Sequence, residues 1–129
     1  MIKNAVYNIL INDATLEAIV GTKIYPIMAP QETEWPFIVI TKNSVEPTDI
    51  KGAVSTDDVQ NFQVDCYART EREVQTISAR IRVLLDQYSG TVSSINVQNI
   101  VFENETDGDF NYASEVFAKS QDYRARIKN

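Results

Sequence analysis

Apolar residues at the start of the chain recur with the spacing of one helical face. They predict a first helix over residues 2–11, with its buried side formed by Ile2, Ala5, Val6, Ile9 and Leu10. Asn12 and Asp13 can cap a second short helix, and Gly21 can close that helix in a left-handed conformation. Two consecutive short helices are therefore expected before the first extended segment.

The next part of the chain is typical of strands. A short extended piece at residues 23–25 stops at Pro26, and Pro36 opens a strand at residues 37–41. Both faces of that strand are apolar, so we expect a helix of this chain on one side and the first helix or a neighbouring subunit on the other. The following strand, residues 59–68, alternates cleanly and places on one face Phe62, Val64, Cys66 and Ala68.

Residues 70–88 carry the clearest helical pattern. Thr70 and Glu73 form a capping box, and Gly90 is expected to end the helix. The apolar stripe consists of Val74, Ile77, Ile81, Leu84, Leu85 and Tyr88. Arg80 and Arg82 flank this stripe, and we interpret them as solvated side chains.

The rest of the chain predicts two strands and two loops. Residues 43–57 form a long polar loop, a type that is often functional or mobile. A strand at residues 95–103 leads into a loop through Gly108, and a last strand covers residues 115–127. The predicted fold is a single α+β domain over residues 1–129. It has a mostly antiparallel four-stranded sheet, two helices packed on one side, and the order α-β-β-α-β-β.

Composition excludes the common catalytic chemistries. The chain has 129 residues, 43% apolar and 23% charged, which is ordinary for a globular protein. It contains no histidine and one cysteine, Cys66, which we interpret as a small buried apolar residue. Its four glycines are too scattered for a phosphate-binding loop. We therefore predict a protein that is not an enzyme and has no catalytic residue, cofactor or metal.

The net charge of −6 disfavours tight binding to nucleic acid, although DNA can pass an acidic surface without adhering to it. The N-terminal region lacks the continuous apolar segment of a signal peptide, and no apolar run reaches the ~20 residues of a membrane helix. We expect a soluble protein made in a reducing compartment and not bound to membranes.

Two acidic segments invite a chemical interpretation. Residues 103–109 imitate the start of a calcium-binding EF-hand loop, but the twelfth position is Ser114, where a bidentate glutamate is required. A solvated acidic turn is the favoured interpretation, and cation binding stays open. Asp57 and Asp58 are adjacent on a strand, so they point to opposite faces and do not form a catalytic pair.

Two other features suggest contact surfaces. Trp35, the single tryptophan, is either an interface anchor or a partly buried residue at the entry of a strand. Residues 122–128 place Tyr123 and Ile127 on one face and Arg124 and Arg126 on the other. As an edge strand, this segment either uses its charges to prevent aggregation or adds to the sheet of a neighbouring subunit.

Four segments together resemble the small tail-completion proteins of long-tailed bacteriophages, which are relatives of the tail terminators. They are residues 16–26 (LEAIVGTKIYP), 35–40 (WPFIVI), 62–70 (FQVDCYART) with the helix that follows, and 120–124 (SQDYR). Their order and spacing match over nearly the whole chain. Lys23 stands where arginine is expected, and Cys66 where a larger apolar residue is common.

The resemblance implies an α+β virion subunit that assembles as a ring, expected to be a hexamer, at the head-proximal end of the tail tube. Its partners would be copies of itself, the tail tube protein and the head connector, and DNA would pass through the lumen without specific binding. We expect partner contacts at Trp35, Glu46, Asp49, Ile50 and Lys51, and acidic residues along the lumen. The protein would be located in the tail or neck of the virion, and in the host cytoplasm during assembly.

Three other functions stay open on the sequence. They are a head-closure or minor tail protein of the phage neck, a small enzyme relying on carboxylates and hydroxyls, and a prophage-derived interaction domain without catalysis.

Overall fold

The structure of the chain, a computed structural model, describes residues 2–26, 29, 34–47, 57–108 and 116–128. The described elements follow the order ααβββαβββ. They are α1 (Ile2–Ile11), α2 (Ala14–Val20), β1 (Ile24–Pro26), β2 (Phe37–Pro47), β3 (Asp57–Ala68), α3 (Glu71–Leu85), β4 (Gly90–Val92), β5 (Ile95–Asp107) and β6 (Phe117–Lys128).

The strands in the described ranges form one mixed, curled sheet of six members in the order β1-β2-β3-β6-β5-β4. The pair β1–β2 is parallel and the other pairs are antiparallel. The predicted four-stranded sheet with two helices in the order α-β-β-α-β-β is therefore wrong. The short strands β1 and β4 add one member at each edge, and α2 is a helix in its own right.

Two strands continue into segments predicted as loops. Strand β2 runs to Pro47, and Val45 still pairs with Gln60 of β3. Strand β5 runs to Asp107, which pairs with Lys119 of β6. Backbone ladders extend each strand although its side chains are mostly polar there, so hydrophobic alternation underestimates its length. The remainder of the first loop, residues 48–56, and residues 109–115 lie outside the described residues.

Helix α3 begins as predicted and ends earlier. The Thr70 hydroxyl accepts a hydrogen bond from the Glu73 amide at 3.2 Å, which confirms the N-terminal cap. The helix ends at Leu85, and Gln87 adopts a φ of 66°, whereas Gly90 lies in β4. The predicted end near residue 88 is wrong because Gln87, a residue without special conformational freedom, takes the positive φ that glycine usually adopts after a helix.

Asp13 fixes α2 at its N-terminus and joins it to α3. One carboxylate oxygen accepts from the Leu16 amide at 3.0 Å, as expected of an N-cap. The guanidinium of Arg80 donates to both carboxylate oxygens, at 3.0 and 2.6 Å. The hydrogen bond from Arg80 lowers the pKa of Asp13. The interpretation of Arg80 as merely solvated is therefore wrong.

Gly21 ends α2 with a φ of 62°, as the sequence predicts, and a ψ of −126°. The positive φ explains why glycine is suited to this position. Its backbone N–H donates to the Glu17 carbonyl at 2.9 Å and so completes the last turn. The ψ value places Gly21 outside the left-handed helical region that we expected.

The core lies between the three helices and one face of the sheet. All three helices contribute to one cluster of buried residues, together with alternate residues of β2, β3, β5 and β6. The predicted face of β3 is confirmed, since its four side chains are at most 1% exposed. We call this side of the sheet the covered face. Its largest fully buried strand residues are Tyr123, Phe62, Ile38, Ile40, Ile100 and Ile127.

Candidate functional site

The covered face contains a small polar network at the end of the core. Gln121, only 1% exposed, donates from its amide nitrogen to the Ser78 carbonyl and to a Glu105 carboxylate oxygen, both at 2.9 Å. Its amide oxygen accepts from the Tyr123 hydroxyl at 2.8 Å. Burial raises the pKa of Tyr123, so this hydroxyl keeps its proton. Because every member is bonded to another, the network stabilises the fold, and of its members only Glu105 remains partly exposed.

The opposite side of the sheet, which we call the open face, is built from the side chains that alternate with the core. In the described residues no helix packs against its centre. The open face of the three central strands includes Val59, Asn61, Gln63, Asn99, Val101, Glu103, Asp122, Arg124, Arg126 and Lys128. It is mainly polar, in contrast to the other face, and a partner can approach it without disturbing the core.

One half of the open face is cationic. Arg124, Arg126 and Lys128 are alternate residues of β6, all exposed, and we call them the basic stripe. In the described part of the chain none of the three forms an ion pair. The two arginines border a shallow cavity of about 340 Å³. The neighbouring strands contribute only uncharged side chains to this cavity, namely Val59, Asn99 and Val101.

The other half of the open face is anionic. Glu103 and Asp122 line a second cavity, of about 580 Å³, together with Asn61, Gln63 and Asn104. Asp65 lies near this half, buried to 9% exposure and bonded to the side-chain amide of Gln63 at 2.7 Å. The open face is therefore divided, with positive charge towards one end of β6 and negative charge towards the other.

The acidic segment that imitates an EF-hand forms the end of β5. Residues 103–107 belong to a strand, and all five are exposed. Lys119 donates to an Asp107 oxygen at 2.6 Å and lies 4.0 Å from a Glu105 oxygen, and the bond to Asp107 raises its pKa. The prediction of a turn is therefore wrong for the described part. In the described ranges no group of three ligating residues is placed to hold a metal ion.

Strand β6 lies in the middle of the sheet, paired with β3 on one side and β5 on the other. Both interpretations of residues 122–128 as an edge strand are therefore wrong. The predicted division of its faces is confirmed, because Tyr123 and Ile127 are buried and Arg124 and Arg126 are exposed. What the sequence missed is that the two arginines lie on a broad sheet face, since that depends on strands distant in sequence.

Trp35 is half-buried at the entry to β2, where the Trp35–Pro36 peptide bond is cis. The guanidinium carbon of Arg69 lies 4.8 Å from the centre of its ring, a cation–π contact. Nearby, the rings of Phe37 and Tyr67 stack with centroids 4.8 Å apart. This aromatic group covers part of the second face of β2, where the sequence predicted a helix or a neighbouring subunit.

The other predicted contact residues are remote from Trp35 or outside the described residues. Glu46 lies near the end of β2, where its backbone pairs with Val59. Eleven positions of mostly extended chain separate its backbone from that of Trp35, or about 35 Å. Asp49, Ile50 and Lys51 lie outside the described residues.

A groove of about 570 Å³ runs between α3 and the strands β5 and β6. Arg82, interpreted from the sequence as solvated, extends over the Phe102 ring with its guanidinium carbon 4.0 Å from the ring centre. Asp86 accepts a hydrogen bond from the Phe102 amide at 3.0 Å. The charged groups of Arg82 and Asp86 in the groove wall are therefore already in contact with Phe102. Val83, 69% exposed, is the one large apolar side chain that this groove presents in the described residues.

Cys66 is buried at 1% exposure, which confirms its interpretation as a small core residue. Burial raises the pKa of its thiol to about 12, so the reactive thiolate is essentially absent at neutral pH. Its sulfur lies 3.6 Å from the Lys119 carbonyl oxygen. Asp57 and Asp58 are successive positions of β3, and their backbones pair with Lys128 and Ile127 of β6.

In the described ranges, each helix is too short or too polar to cross a membrane. The fold and its surfaces define a class: an α+β protein with one mixed sheet, a closed core on one face and a charge-divided surface on the other. The sequence matches the family of the tail completion protein gp17 over residues 4–128, and the chain belongs to that family. The resemblance seen in the sequence is thereby confirmed.

Solved structures show the same fold. A chain in the virion of a native gene transfer agent (GTA) particle matches with a TM-score of 0.81 at 19% identity, covering 97% of this chain and 92% of that chain. A second solved chain matches with a TM-score of 0.58 at 13% identity, covering 99% and 94%. No curated protein sequence matches this chain significantly.

Proposed function

We propose that this chain is a virion structural protein that completes the tail at its head-proximal end, where copies form a ring. The observation that carries the proposal is the match to the tail-completion family over residues 4–128. The structural similarity to a chain of a gene transfer agent virion, over nearly the full length of both chains, supports a place in a phage-like particle.

The protein acts by binding through its surfaces, and it makes or breaks no covalent bond in a substrate. In support, the described residues engage their buried polar groups internally, and none is left without a hydrogen-bond partner. The buried, protonated thiol of Cys66 is unsuited to nucleophilic catalysis. Carboxylates with defined partners, such as Asp13 and Asp107, serve structural ion pairs.

The partners are copies of this chain in a ring, which we take to be a hexamer, the tail tube protein and the head connector. DNA passes through the lumen without specific binding. The distance of about 35 Å between Trp35 and Glu46 favours contacts with two different neighbours. The segment that contains Asp49, Ile50 and Lys51 follows β2 and is proposed to act together with Glu46.

The test is a particle population from which this gene has been deleted, examined by electron microscopy and complemented with the wild-type chain. We expect tails of abnormal length or full heads without tails, and normal particles after complementation. Normal particles in the deletion strain would contradict the proposal. A complementing chain with Arg72→Glu, a change at an exposed position of α3, serves as the control for expression and folding.

The alternative within the virion is a head-closure or minor tail protein. Gold labelling of a tagged chain distinguishes them, because label at the distal tip of the tail would contradict a position at the neck. The third possibility, a prophage-derived interaction domain, requires that the labelled chain be absent from purified particles.

A further inference from the structure

We propose that the basic stripe of one copy binds the end of β5 from a second copy, so that identical chains associate edge to face. The site is formed by Arg124, Arg126 and Lys128, and its occupant is the segment 103–107, which we call the acidic tip. The inference rests on the proposed function and deepens it, because it names the contact between neighbours in the ring.

The basic stripe has the properties of an unfilled binding surface. Its three cations are exposed and form no ion pair with the described residues. The two arginines have uncharged neighbours on β3 and β5, whereas Lys128 pairs with Asp57 of β3. Each guanidinium presents five N–H donors in a planar fork that matches a carboxylate. The cavity of about 340 Å³ between the arginines has Val59 and Val101 in its wall, so an entering side chain also meets apolar surface.

The acidic tip has the complementary properties. It carries Glu103, Glu105 and Asp107 within five exposed residues, and Lys119 is the only cation in contact with them among the described residues. One cation for three carboxylates leaves a surplus of negative charge. The Asp107 side chain remains 73% exposed although it is bonded to Lys119, so it is still accessible to a second cation.

Within one chain Asp107, at the far end of the tip, cannot reach the stripe, although Glu103 at its near end lies close to Arg124 on the open face. Asp107 pairs with Lys119, and five to nine positions of β6 separate Lys119 from the stripe, or about 17–30 Å in the same sheet. The contact must therefore join two chains, and it uses a different surface on each. Every added copy then leaves one free tip and one free stripe, which is the arrangement that closes into a ring when the rotation per copy permits.

A protein segment suits this site better than a nucleic acid. A phosphate backbone would also neutralise the arginines, but an extended polyanion crossing the open face would meet Glu103 and Asp122 next to the basic stripe. A strand end of five residues is short enough to occupy the cationic half without extending over the anionic half. Because the chain has a net charge of −6, copies of it repel one another in most orientations. A local cationic surface favours the orientation in which it meets the acidic tip of another copy.

The experiment compares the full-length chain with two charge-reversed variants by sedimentation velocity and electron microscopy over a range of concentrations. The stripe variant carries Arg124→Glu and Arg126→Glu, and the tip variant carries Glu103→Lys and Asp107→Lys. We expect the wild-type chain to self-associate. Each variant alone should self-associate with an affinity reduced by more than about tenfold. An equimolar mixture of the two variants should recover assembly, because each tip then meets a stripe of opposite charge.

The recovery in the mixture keeps the test independent of folding, since two misfolded variants would not assemble together. A control with Lys3→Glu and Arg72→Glu makes the same change in net charge away from the stripe and should assemble like the wild type. A wild-type chain that is monomeric at every concentration would overturn the inference. So would a mixture that stays monomeric, or a stripe variant that assembles normally.

A parallel titration with short double-stranded DNA tests the other anion. Binding by the wild type that is lost in the stripe variant, without a defect in self-association, would assign the stripe to phosphate and overturn the inference.

Complementation of the deletion strain separates the two proposals. A monomeric wild-type chain that still restores normal particles removes the edge-to-face contact and leaves the proposed function standing.

Discussion

The two faces of the central strands β3 and β6 differ in almost every physical respect, although they are made by alternate residues of the same segments. Phe62 and Tyr123 on the covered face are fully buried and stack with ring centroids 5.3 Å apart. Arg124 and Arg126 on the open face are exposed and form no ion pair with described residues. The free energy of folding is concentrated on one side of the sheet, which leaves the other side available for partners.

This division means that changes on the two faces should affect different measurements. A substitution on the covered face should lower stability, and should alter assembly only because less protein is folded. A substitution on the open face should alter assembly and leave the unfolding temperature nearly unchanged. The following predictions test that division, in order of decreasing effect on stability.

The largest effect is expected for Phe62→Ala. The ring is fully buried against Tyr123, and its removal leaves a cavity in the core. The loss should be about 3–5 kcal/mol, a large part of the total stability of a domain of this size. Urea unfolding followed by circular dichroism measures it. A loss below about 1 kcal/mol would contradict the assignment of the covered face as the main source of stability.

A smaller loss is expected for Tyr123→Phe. This substitution keeps the aromatic packing and removes the hydroxyl that donates to Gln121 at 2.8 Å. The amide oxygen of Gln121 is then buried without that donor, at a cost of about 1–2 kcal/mol. The matched control is Tyr88→Phe, at a partly buried tyrosine outside the network. Equal effects of the two substitutions would show that the network does not contribute.

Asp13→Asn should produce a smaller, pH-dependent effect. Arg80 and the Leu16 amide lower the pKa of Asp13 in the folded state, below its ordinary value of 3.8. The ionised carboxylate therefore stabilises the fold above its ordinary pKa, and this contribution is lost as the pH falls through the lowered value. Asparagine retains the N-cap and loses the charge. The melting temperature should fall by about 3 °C at neutral pH.

The pH series provides the control for Asp13. The difference between wild type and Asp13→Asn should shrink between about pH 5 and about pH 2, where the wild-type carboxylate becomes protonated. Thermal unfolding at each pH measures it. A difference that stays constant over this range would mean that the charge of Asp13 is not responsible.

The smallest change in stability is expected for Arg126→Ala on the open face. The side chain is exposed and unpaired in the described residues, so the free energy of unfolding should change by less than about 0.5 kcal/mol. Self-association should nevertheless weaken measurably in the same preparation. A clear loss of stability would contradict the proposed division, in which the open face contributes little to the free energy of folding.

The sequence predicts well those elements whose signal is local. The alternation around Phe62 identified the buried face of β3, and the stripe on α3 identified its core side. The N-terminal cap at Thr70 could be predicted because its hydroxyl bonds to the amide of Glu73, only three residues later. In each case the deciding contacts lie within a few residues, or one side of the element is uniformly apolar.

The missed elements depend on residues far apart or on unusual turns. Strand β4 pairs with β5 through a two-residue turn, in which Ser93 and Ser94 have φ values of 51° and 62°. Such turns usually contain asparagine or glycine, so the serines gave no signal. The central position of β6 and the bond between Asp13 and Arg80, 67 residues apart, follow only from the assembled sheet and helices.

The candidate surfaces show the same limit. That Arg124 and Arg126 share a face was visible from their spacing, but the neutral surroundings provided by Val59, Asn99 and Val101 depend on the register of three strands. The family was identified from short segments in the right order, since these segments reflect the whole fold.

The order of the strands also bears on how the protein is made. Strand β6 is the last of the six in the chain, yet it occupies the middle of the sheet, between β3 and β5. Until the ribosome has delivered this segment, β3 and β5 each lack the strand that pairs with one of their edges. A truncated product lacking β6 should therefore aggregate, and newly made chains should benefit from a chaperone during this interval.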